Sequence, residues 1–391
     1  MILTPASEEE AADLVREARG ARRRLELRGG GTRSGLGRPV EAEAVLSSSA
    51  LVGITLHEPA ELVIAARAGT PVREVEAALD AHGQRLPVEP MDHRALYSTA
   101  GEPTVGGLVA ANASGPRRVQ AGAIRDHLIG VRLVNGRGEA IKSGGRVMKN
   151  VTGLDLVKLS CGAHGTLGFL TEVTFKVLPK PEAAATLAWS GLDDARAVAA
   201  LTKAMASPFD VSGAAHIPLG PGREEASTLL RLEGHAETVR GRTERLATLL
   251  AEFGRPKRLA DEGSPWPALR DGGIVAADAE AAVWRISVAP TQGPELVARL
   301  RPLLRDHAYD WGGGLVWAAT APDGDAGAAD IRAALGGLGG HATLLRAPVA
   351  LRRHIEVFEP LTPALRALTV GIKASFDPDG ILNPGRMYAG I

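Results

Sequence analysis

The apolar positions near the start of the chain recur at helical spacing. Ala11, Leu14, Val15 and Ala18 share one face, and Ser7 with Glu10 has the spacing of a capping box, which predicts a helix over Ser7–Arg19. Leu25-Glu26-Leu27-Arg28 then alternates as a short strand and runs into Gly29-Gly30-Gly31-Thr32-Arg33-Ser34-Gly35. Two more strands are predicted at Leu51–Leu56 and Leu62–Ala68. Thr70-Pro71 reads as the N-cap and first-turn proline of a helix reaching His82, with Gly83 as its left-handed stop. Leu128–Val134, the turn Asn135-Gly136-Arg137-Gly138 and Glu139–Lys142 form a hairpin pattern, and Phe169–Val177 alternates as a half-buried strand. Pro179-Lys180-Pro181 is the clearest punctuation and marks a domain boundary.

The texture then changes. Strand-like pieces at Thr186–Trp189, Thr228–Glu233, Val283–Ala289 and Leu315–Ala319 alternate with amphipathic helices at Asp193–Ala206, Glu237–Phe253, Pro294–Asp306 and Asp330–Leu338. That alternation predicts a second α+β domain with two similar halves. The last fifty residues carry a strand at Thr343–Arg346, a helix over Thr362–Phe376 and a turn-rich tail from Asp377 to Arg386 that is expected to dock on the first domain.

Composition narrows the function classes. The 391 residues carry 45 Lys+Arg and 45 Asp+Glu, a balance without the basic surplus that a nucleic-acid binder needs. No apolar run reaches the ~18 residues of a membrane span, and Met1–Glu10 lacks the basic-then-apolar order of a signal peptide. One cysteine, Cys161, excludes an intrachain disulfide and a cysteine-held iron–sulfur cluster; it sits in an apolar stretch and reads as inert core. The ten histidines form no His-Glu-X-X-His or His-X-His pattern, so His341 and His354 read as surface or satisfied core residues rather than metal ligands. Arg22-Arg23-Arg24 reads as the solvated end of the first helix. Glycine, at 47 residues, exceeds the usual ~7 % and directs attention to backbone-lined loops.

Two such loops stand out. Gly29–Gly35 follows a strand, and its adjacent glycines let backbone N–H groups converge on one concavity, which suits a phosphate or pyrophosphate. It has neither the Gly-Lys-Ser/Thr ending of a nucleoside-triphosphate loop nor the dinucleotide fingerprint of a Rossmann turn. Thr104-Val-Gly-Gly through Ser114-Gly115 supplies small residues and a short helix from Gly106 whose first N–H groups could face an anion, followed by Arg117-Arg118 and Gly122-Ala123-Ile124-Arg125-Asp126.

In order along the chain, Arg28-Gly-Gly-Gly-Thr, Glu58-Pro59-Ala60-Glu61-Leu62-Val63, Ala68-Gly69-Thr70-Pro71, Thr104-Val-Gly-Gly, Arg125-Asp126, Lys149-Asn150-Val-Thr-Gly-Leu-Asp-Leu and Gly165-Thr-Leu-Gly-Phe-Leu-Thr-Glu resemble the FAD-binding domain of the vanillyl-alcohol oxidase/p-cresol methylhydroxylase (PCMH) family. Within it, Ser114-Gly115-Pro116-Arg117-Arg118, Asp310-Trp311-Gly312-Gly313-Gly314 and Phe376-Asp377-Pro378 through Tyr388 resemble the FAD-binding subunits of bacterial glycolate oxidases. The resemblance implies an α+β fold: a two-subdomain PCMH-type FAD-binding domain at residues 1–181, an α+β cap at 182–340, and a C-terminal segment, 341–391, returning to the FAD domain. It implies FAD contacts at Gly29, Gly30, Gly31, Thr32, Arg33 and Ser34 for the pyrophosphate. Further contacts are implied at Pro90, Thr104, Gly106, Gly107, Asn112, Ser114, Gly115, Gly122 and Arg125, at Leu170 through main chain, and at Asn383.

Departures from the family pattern shape the rest. The first loop lacks the histidine that bonds covalently to flavin in many relatives, so non-covalent FAD is expected. Leu154 stands where the 2-hydroxyacid dehydrogenase branch has Tyr, Ala163-His164 where it has Ser-Glu, and both of its substrate-site histidine signatures are missing. The expected role is therefore the FAD-binding subunit of a complex that oxidises glycolate, a small 2-hydroxyacid, with a larger FAD-containing subunit and an iron–sulfur subunit. Its expected location is cytoplasmic, with any inner-membrane association made through the partner subunits. Two alternatives are a self-sufficient FAD-dependent 2-hydroxyacid oxidoreductase and a non-catalytic architectural subunit. No catalytic residue is assigned.

Overall fold

Ser7 caps the first helix, Glu8–Gly20, by accepting a hydrogen bond from the Glu10 backbone N–H, while the Glu10 carboxylate accepts from Ala6 N at 2.8 Å. The apolar face of this helix buries Ala11, Val15 and Ala18 together with Leu25, Leu46, Ile381 and Leu382. The computed structural model describes residues 1–145, 153–260 and 264–391, so the motif residues Lys149, Asn150, Val151 and Thr152 lie outside the described residues. Contacts divide the chain into two units: residues 1–114, 122–180 and 360–391, and residues 115–121 and 181–359.

The first unit holds two principal sheets. One is parallel, in the order Ile2–Leu3, Ala44–Ser47, Leu25–Arg28. The other is a five-stranded antiparallel sheet in the order Ile54–Glu58, Val63–Arg67, Phe169–Lys176, Leu128–Val134, Ala140–Gly144. Its inner face, with Ile64, Val131, Leu133, Val173 and Phe175, packs against Val75, Leu79, Val105, Leu108 and Val109 of the helices Val72–Asp80 and Val105–Ala111. This is the two-subdomain arrangement of a PCMH-type flavin domain.

The second unit is one eight-stranded sheet with helices against it. Its first half runs strand Ala183–Ser190, helix Asp194–Met205, strands Val211–Ile217 and Ser227–Gly234, helix Ala236–Leu249 and strand Lys257–Leu259. The second half repeats that order with strand Ala282–Ser287, helix Gly293–Leu300, strands Asp306–Asp310 and Leu315–Thr320, helix Ala328–Leu335 and strand His341–Arg346. In both halves the last strand lies beside the first, then the third, then the second. The two βαββαβ halves meet at their second strands through the pair His216–Tyr309. Separate cores fill them: Leu187, Trp189, Leu201, Leu230 and Leu246 in one, Trp284, Ile286, Leu296, Val316 and Leu344 in the other.

Several elements differ from the sequence pattern. Thr70 is not an N-cap; its hydroxyl bonds the N–H and C=O of Gly53, and the helix begins at Val72 after Pro71. The predicted strand Leu51–Leu56 starts only at Ile54, because Gly53 turns the chain with φ of 113°. The helix predicted over Pro294–Asp306 stops at Leu300, one residue before the Arg301-Pro302 step, where proline disfavours continued helix. Asp306–Asp310 then pairs as a strand with Leu315 through Ala319. Thr343–Arg346 pairs with Ala282–Ser287, so the chain returns to the first unit at Pro360 rather than near residue 341. Among the described residues no helix is long and apolar enough to cross a membrane.

The tail is fixed by one buried cation. Lys373, on the helix Pro363–Phe376, donates from Nζ to Thr166 O at 2.8 Å, Asp377 Oδ2 at 2.7 Å and Leu382 O at 2.8 Å. Asp377 in turn accepts from the N–H groups of Ile381 and Leu382. Burial lowers the Lys373 pKa and the neighbouring Asp377 charge raises it, with the net shift downward. Lys373→Met strands the Asp377 carboxylate without its cation and is expected to cost about 3–5 kcal/mol of unfolding free energy. Urea denaturation of the purified chain measures it.

Candidate cofactor site

The strand Leu25–Arg28 ends in the glycine loop, and both border an open cavity inside the first unit. Each wall is built where a side chain would collide. A Cβ on Gly29 would overlap the Thr104 hydroxyl, and one on Gly30 would overlap the backbone carbonyl of Glu102. Gly31 has φ of 77°, in the left-handed region. The Gly30 constraint is thus the neighbouring backbone at Gly101–Glu102, which a side chain would meet before any ligand.

Thr104 caps the helix Val105–Ala111 by accepting from Gly107 N at 3.2 Å, so that amide is satisfied by the protein itself. Asn383 closes the opposite wall: its Oδ1 accepts from Leu27 N at 2.8 Å and its Nδ2 donates to His164 O at 2.7 Å. Arg33 reaches sideways to His93 Nδ1 at 3.1 Å and Met91 O at 2.8 Å.

Of the expected cofactor residues, Gly29, Gly30, Gly31, Thr32, Arg33, Ser34, Thr104, Gly106, Gly107, Leu170 and Asn383 line this cavity. Pro90, Asn112, Ser114, Gly115, Gly122 and Arg125 do not. Pro90 bridges to Ser114, the Ser114 hydroxyl accepts from Ile124 N at 3.3 Å, and Asn112 Oδ1 accepts from Arg125 N at 3.3 Å. These residues and Gly122, with φ of 91°, stand as an adjoining layer that binds itself. Gly115 belongs to the second unit, where its carbonyl accepts from Trp311 Nε1 at 3.1 Å.

Sequence reasoning missed thirteen further lining residues, among them Glu26, Leu27, Arg28, His164, Phe169 and Arg386. Arg386 sits in the Asn383-Pro384-Gly385-Arg386 segment already singled out, so proximity to Asn383 was its available signal. The lining carries three arginines, Arg28, Arg33 and Arg386, against one carboxylate, Glu26, which pairs with Arg28 at 2.8 Å. An excess of guanidinium beside a glycine-walled cradle fits a diphosphate, and Leu27, Leu36, Phe169 and Leu170 supply apolar wall for a flat ring. The residues present therefore fit FAD.

His164 lines the same cavity with a left-handed φ of 50°. Burial, reinforced by the positive charge of Arg386, lowers its pKa to about 3, so the imidazole is neutral at working pH. Cys161 ends the helix Leu156–Ser160, its Sγ 3.6 Å from Asn112 Oδ1, and burial pushes its thiol up to about 12. It is a protonated core residue.

The fold and the cradle define an FAD-binding protein, and its relatives place it among the FAD-dependent oxidoreductases. Residues 1–144 match the family model described as FAD binding domain. The chain is 34 % identical over 366 residues to glycolate oxidase subunit GlcE of Escherichia coli (strain K12), covering 93 % of each chain. It is 43 % identical over 84 residues to glycolate oxidase subunit GlcD of Bacillus subtilis (strain 168), covering 22 % of this chain and 18 % of that one. Among solved structures, alkyldihydroxyacetonephosphate synthase superposes with a TM-score of 0.71 at 17 % identity, covering 98 % of this chain and 76 % of the other, which establishes the shared fold. The chain belongs to the glycolate oxidase subunit GlcE family.

Two outcomes test the site. Gly30→Val is expected to displace the loop from Glu102 and abolish flavin retention, whereas Thr32→Ser retains it; the 450 nm absorbance per protein of each purified variant reports this. An imidazole in the unfolded chain takes a proton near pH 6.5, and folded His164 does not until about pH 3. Protons therefore favour the unfolded state below pH 6.5, and stability falls as pH falls. His164→Asn, which tolerates the left-handed backbone, is expected to flatten the decline of Tm between pH 7 and pH 5.

Proposed function

We propose that this chain is the FAD-binding subunit of a glycolate oxidase complex, holding FAD non-covalently and working with a larger FAD-containing subunit and an iron–sulfur subunit. The observation that carries this reading is end-to-end similarity to a glycolate oxidase subunit, over 93 % of both chains, together with a cradle suited to FAD. Residues 29–34, Thr104, Gly106, Gly107, Leu170 and Asn383 are the proposed cofactor contacts, with Arg28 and Arg386 added from the cavity wall.

Oxidation of glycolate to glyoxylate removes two electrons and two protons. The flavin, when bound, supplies the two-electron acceptor. The hydroxyl proton needs a base of suitable pKa within hydrogen-bond reach, which contributes ~10²–10⁴ in rate. In this cavity His164 is too weakly basic, and Glu26 is engaged with Arg28. The base is accordingly assigned to a partner subunit. The helix Pro363–Phe376 exposes Leu365 and Leu368 one turn apart on one face, an apolar pair that supports docking of such a partner.

The test is steady-state glycolate oxidation with a dye acceptor. The isolated chain is expected to carry flavin, release it into the supernatant on acid precipitation, and turn over at ~1 % or less of the rate reached with both partners. Turnover by the lone chain near that of the complex would instead establish a self-sufficient oxidoreductase. A purified chain that neither carries FAD nor gains Tm with it would establish an architectural subunit.

A further inference from the structure

Arg285, in the middle of the strand Ala282–Ser287, has no acceptor for its guanidinium among the described residues, and its Nε is sealed from solvent. The group rests on the indole of Trp311, with Cζ 4.7 Å from the ring centroid. A second guanidinium, that of Arg118, rests on the same indole at 4.8 Å. Stacking uses the face of the Arg285 guanidinium and leaves the N–H donors along its edge unspent. Two like charges sharing one ring, one of them without any hydrogen-bond acceptor, is costly unless something anionic completes the arrangement.

The loop that presents the indole is itself constrained. Trp311 has φ of 54°, a strained conformation for so large a side chain, and Gly312 and Gly313 follow at 70° and 104°. Trp311 is held there from both ends: its backbone N–H donates to Asp310 Oδ1 at 2.7 Å and its indole N–H to Gly115 O at 3.1 Å. Strain retained around an unspent guanidinium is the pattern of a binding site. The other charged groups in reach are Asp310, which favours the charged form of Arg285, and His341, whose pKa is lowered by burial and then by Arg285 and Arg118. Glu359 opposes that shift on His341 and accepts from Ala342 N at 3.0 Å. Arg285 itself falls to about 10, through burial and then the charge of Arg118, and stays cationic at neutral pH.

We propose that Arg285 and Arg118, spaced by Trp311, form a carboxylate-binding site in the second unit, which takes a small 2-hydroxy- or 2-oxocarboxylate. The planar fork of a guanidinium edge matches the two oxygens of a carboxylate, which selects this class over a neutral alcohol. The choice of a 2-substituted acid rests on the glycolate oxidase reading; the anion site itself does not.

Isothermal titration of the flavin-loaded chain tests it, with glycolate, glyoxylate, glycolamide and inorganic phosphate as probes. Glycolate and glyoxylate are expected to bind one to one, and glycolamide, which lacks the charge, is not. Arg285→Gln is expected to weaken glycolate binding at least tenfold and Arg285→Lys to recover part of it, with flavin content and Tm recorded for each variant. If Arg285→Gln lowers Tm sharply, Arg118→Gln carries the same expectation. Unchanged glycolate affinity in a folded variant, no binding by the wild type, or equal binding of glycolamide would each overturn the proposal. Phosphate binding as tightly as glycolate would overturn its carboxylate selectivity. Carboxylate binding in a chain that never supports glycolate oxidation, even with partners, would sink the functional reading and leave this site standing.

Discussion

The ammonium of Lys373 is the contact on which the cofactor cradle depends. It is buried, and it reaches three acceptors on three different segments: Thr166 beside the cavity, Asp377 at the end of its own helix, and Leu382 in the tail. Holding Leu382 brings the tail alongside the strand Leu25–Arg28, where Leu25 N donates to Ile381 O at 2.7 Å and Asn383 N donates to Leu25 O at 2.9 Å. The Asn383 side chain then joins that strand to His164 across the cavity. A charge with every donor satisfied can sit in a low-dielectric interior, and for the same reason it tolerates no substitute lacking its donors. The glycine loop therefore inherits its position from a residue more than three hundred positions away in the chain.

The second unit is organised by a different constraint. Each βαββαβ half buries a tryptophan whose indole N–H finds a backbone carbonyl, Trp189 at Gly254 and Trp284 at Ala326. Where the halves meet, Asp194 accepts from the Tyr309 hydroxyl and lies 3.0 Å from His307 Nε2 and 3.5 Å from His216 Nε2. Burial alone would raise the Asp194 pKa, yet these hydrogen bonds hold it well below the usual carboxylate range. The seam between the halves is thus built around one ionised carboxylate, whereas the halves themselves are apolar. Arg117 and Glu233, paired at 2.7 Å, tie residues 115–121 into the same unit.

The cradle and the missing base belong together. A cavity walled by glycine amides and arginines is well suited to hold an anionic cofactor, and poorly suited to accept a proton. Burial and Arg386 keep His164 neutral and weakly basic, so the one imidazole in the wall contributes shape and a backbone carbonyl rather than acid–base chemistry. The proposed division of labour, with flavin held here and the base supplied by a partner subunit, rests on that contrast.

The sequence by itself determined the local elements and the cofactor class. Capping at Ser7, the hairpin at Asn135–Gly138, the alternation over Phe169–Val177 and the glycine loop are all encoded within a few residues, because turns and periodicity depend on near neighbours. The two halves of the second unit were legible as alternating elements for the same reason. Tertiary structure alone decided which candidate residues share the cavity. Asn112, Ser114 and Arg125 are as polar or small as the residues that line it, but Asn112 Oδ1 accepts from Arg125 N and the Ser114 hydroxyl accepts from Ile124 N. It also decided that Thr343–Arg346 completes the second sheet, since an edge strand takes its partner from whichever backbone is left unpaired. The stacking of Arg285 and Arg118 on Trp311 joins three segments far apart in the chain, and no local pattern carries it. Spacing along a chain specifies what a residue can do; only packing specifies what it faces.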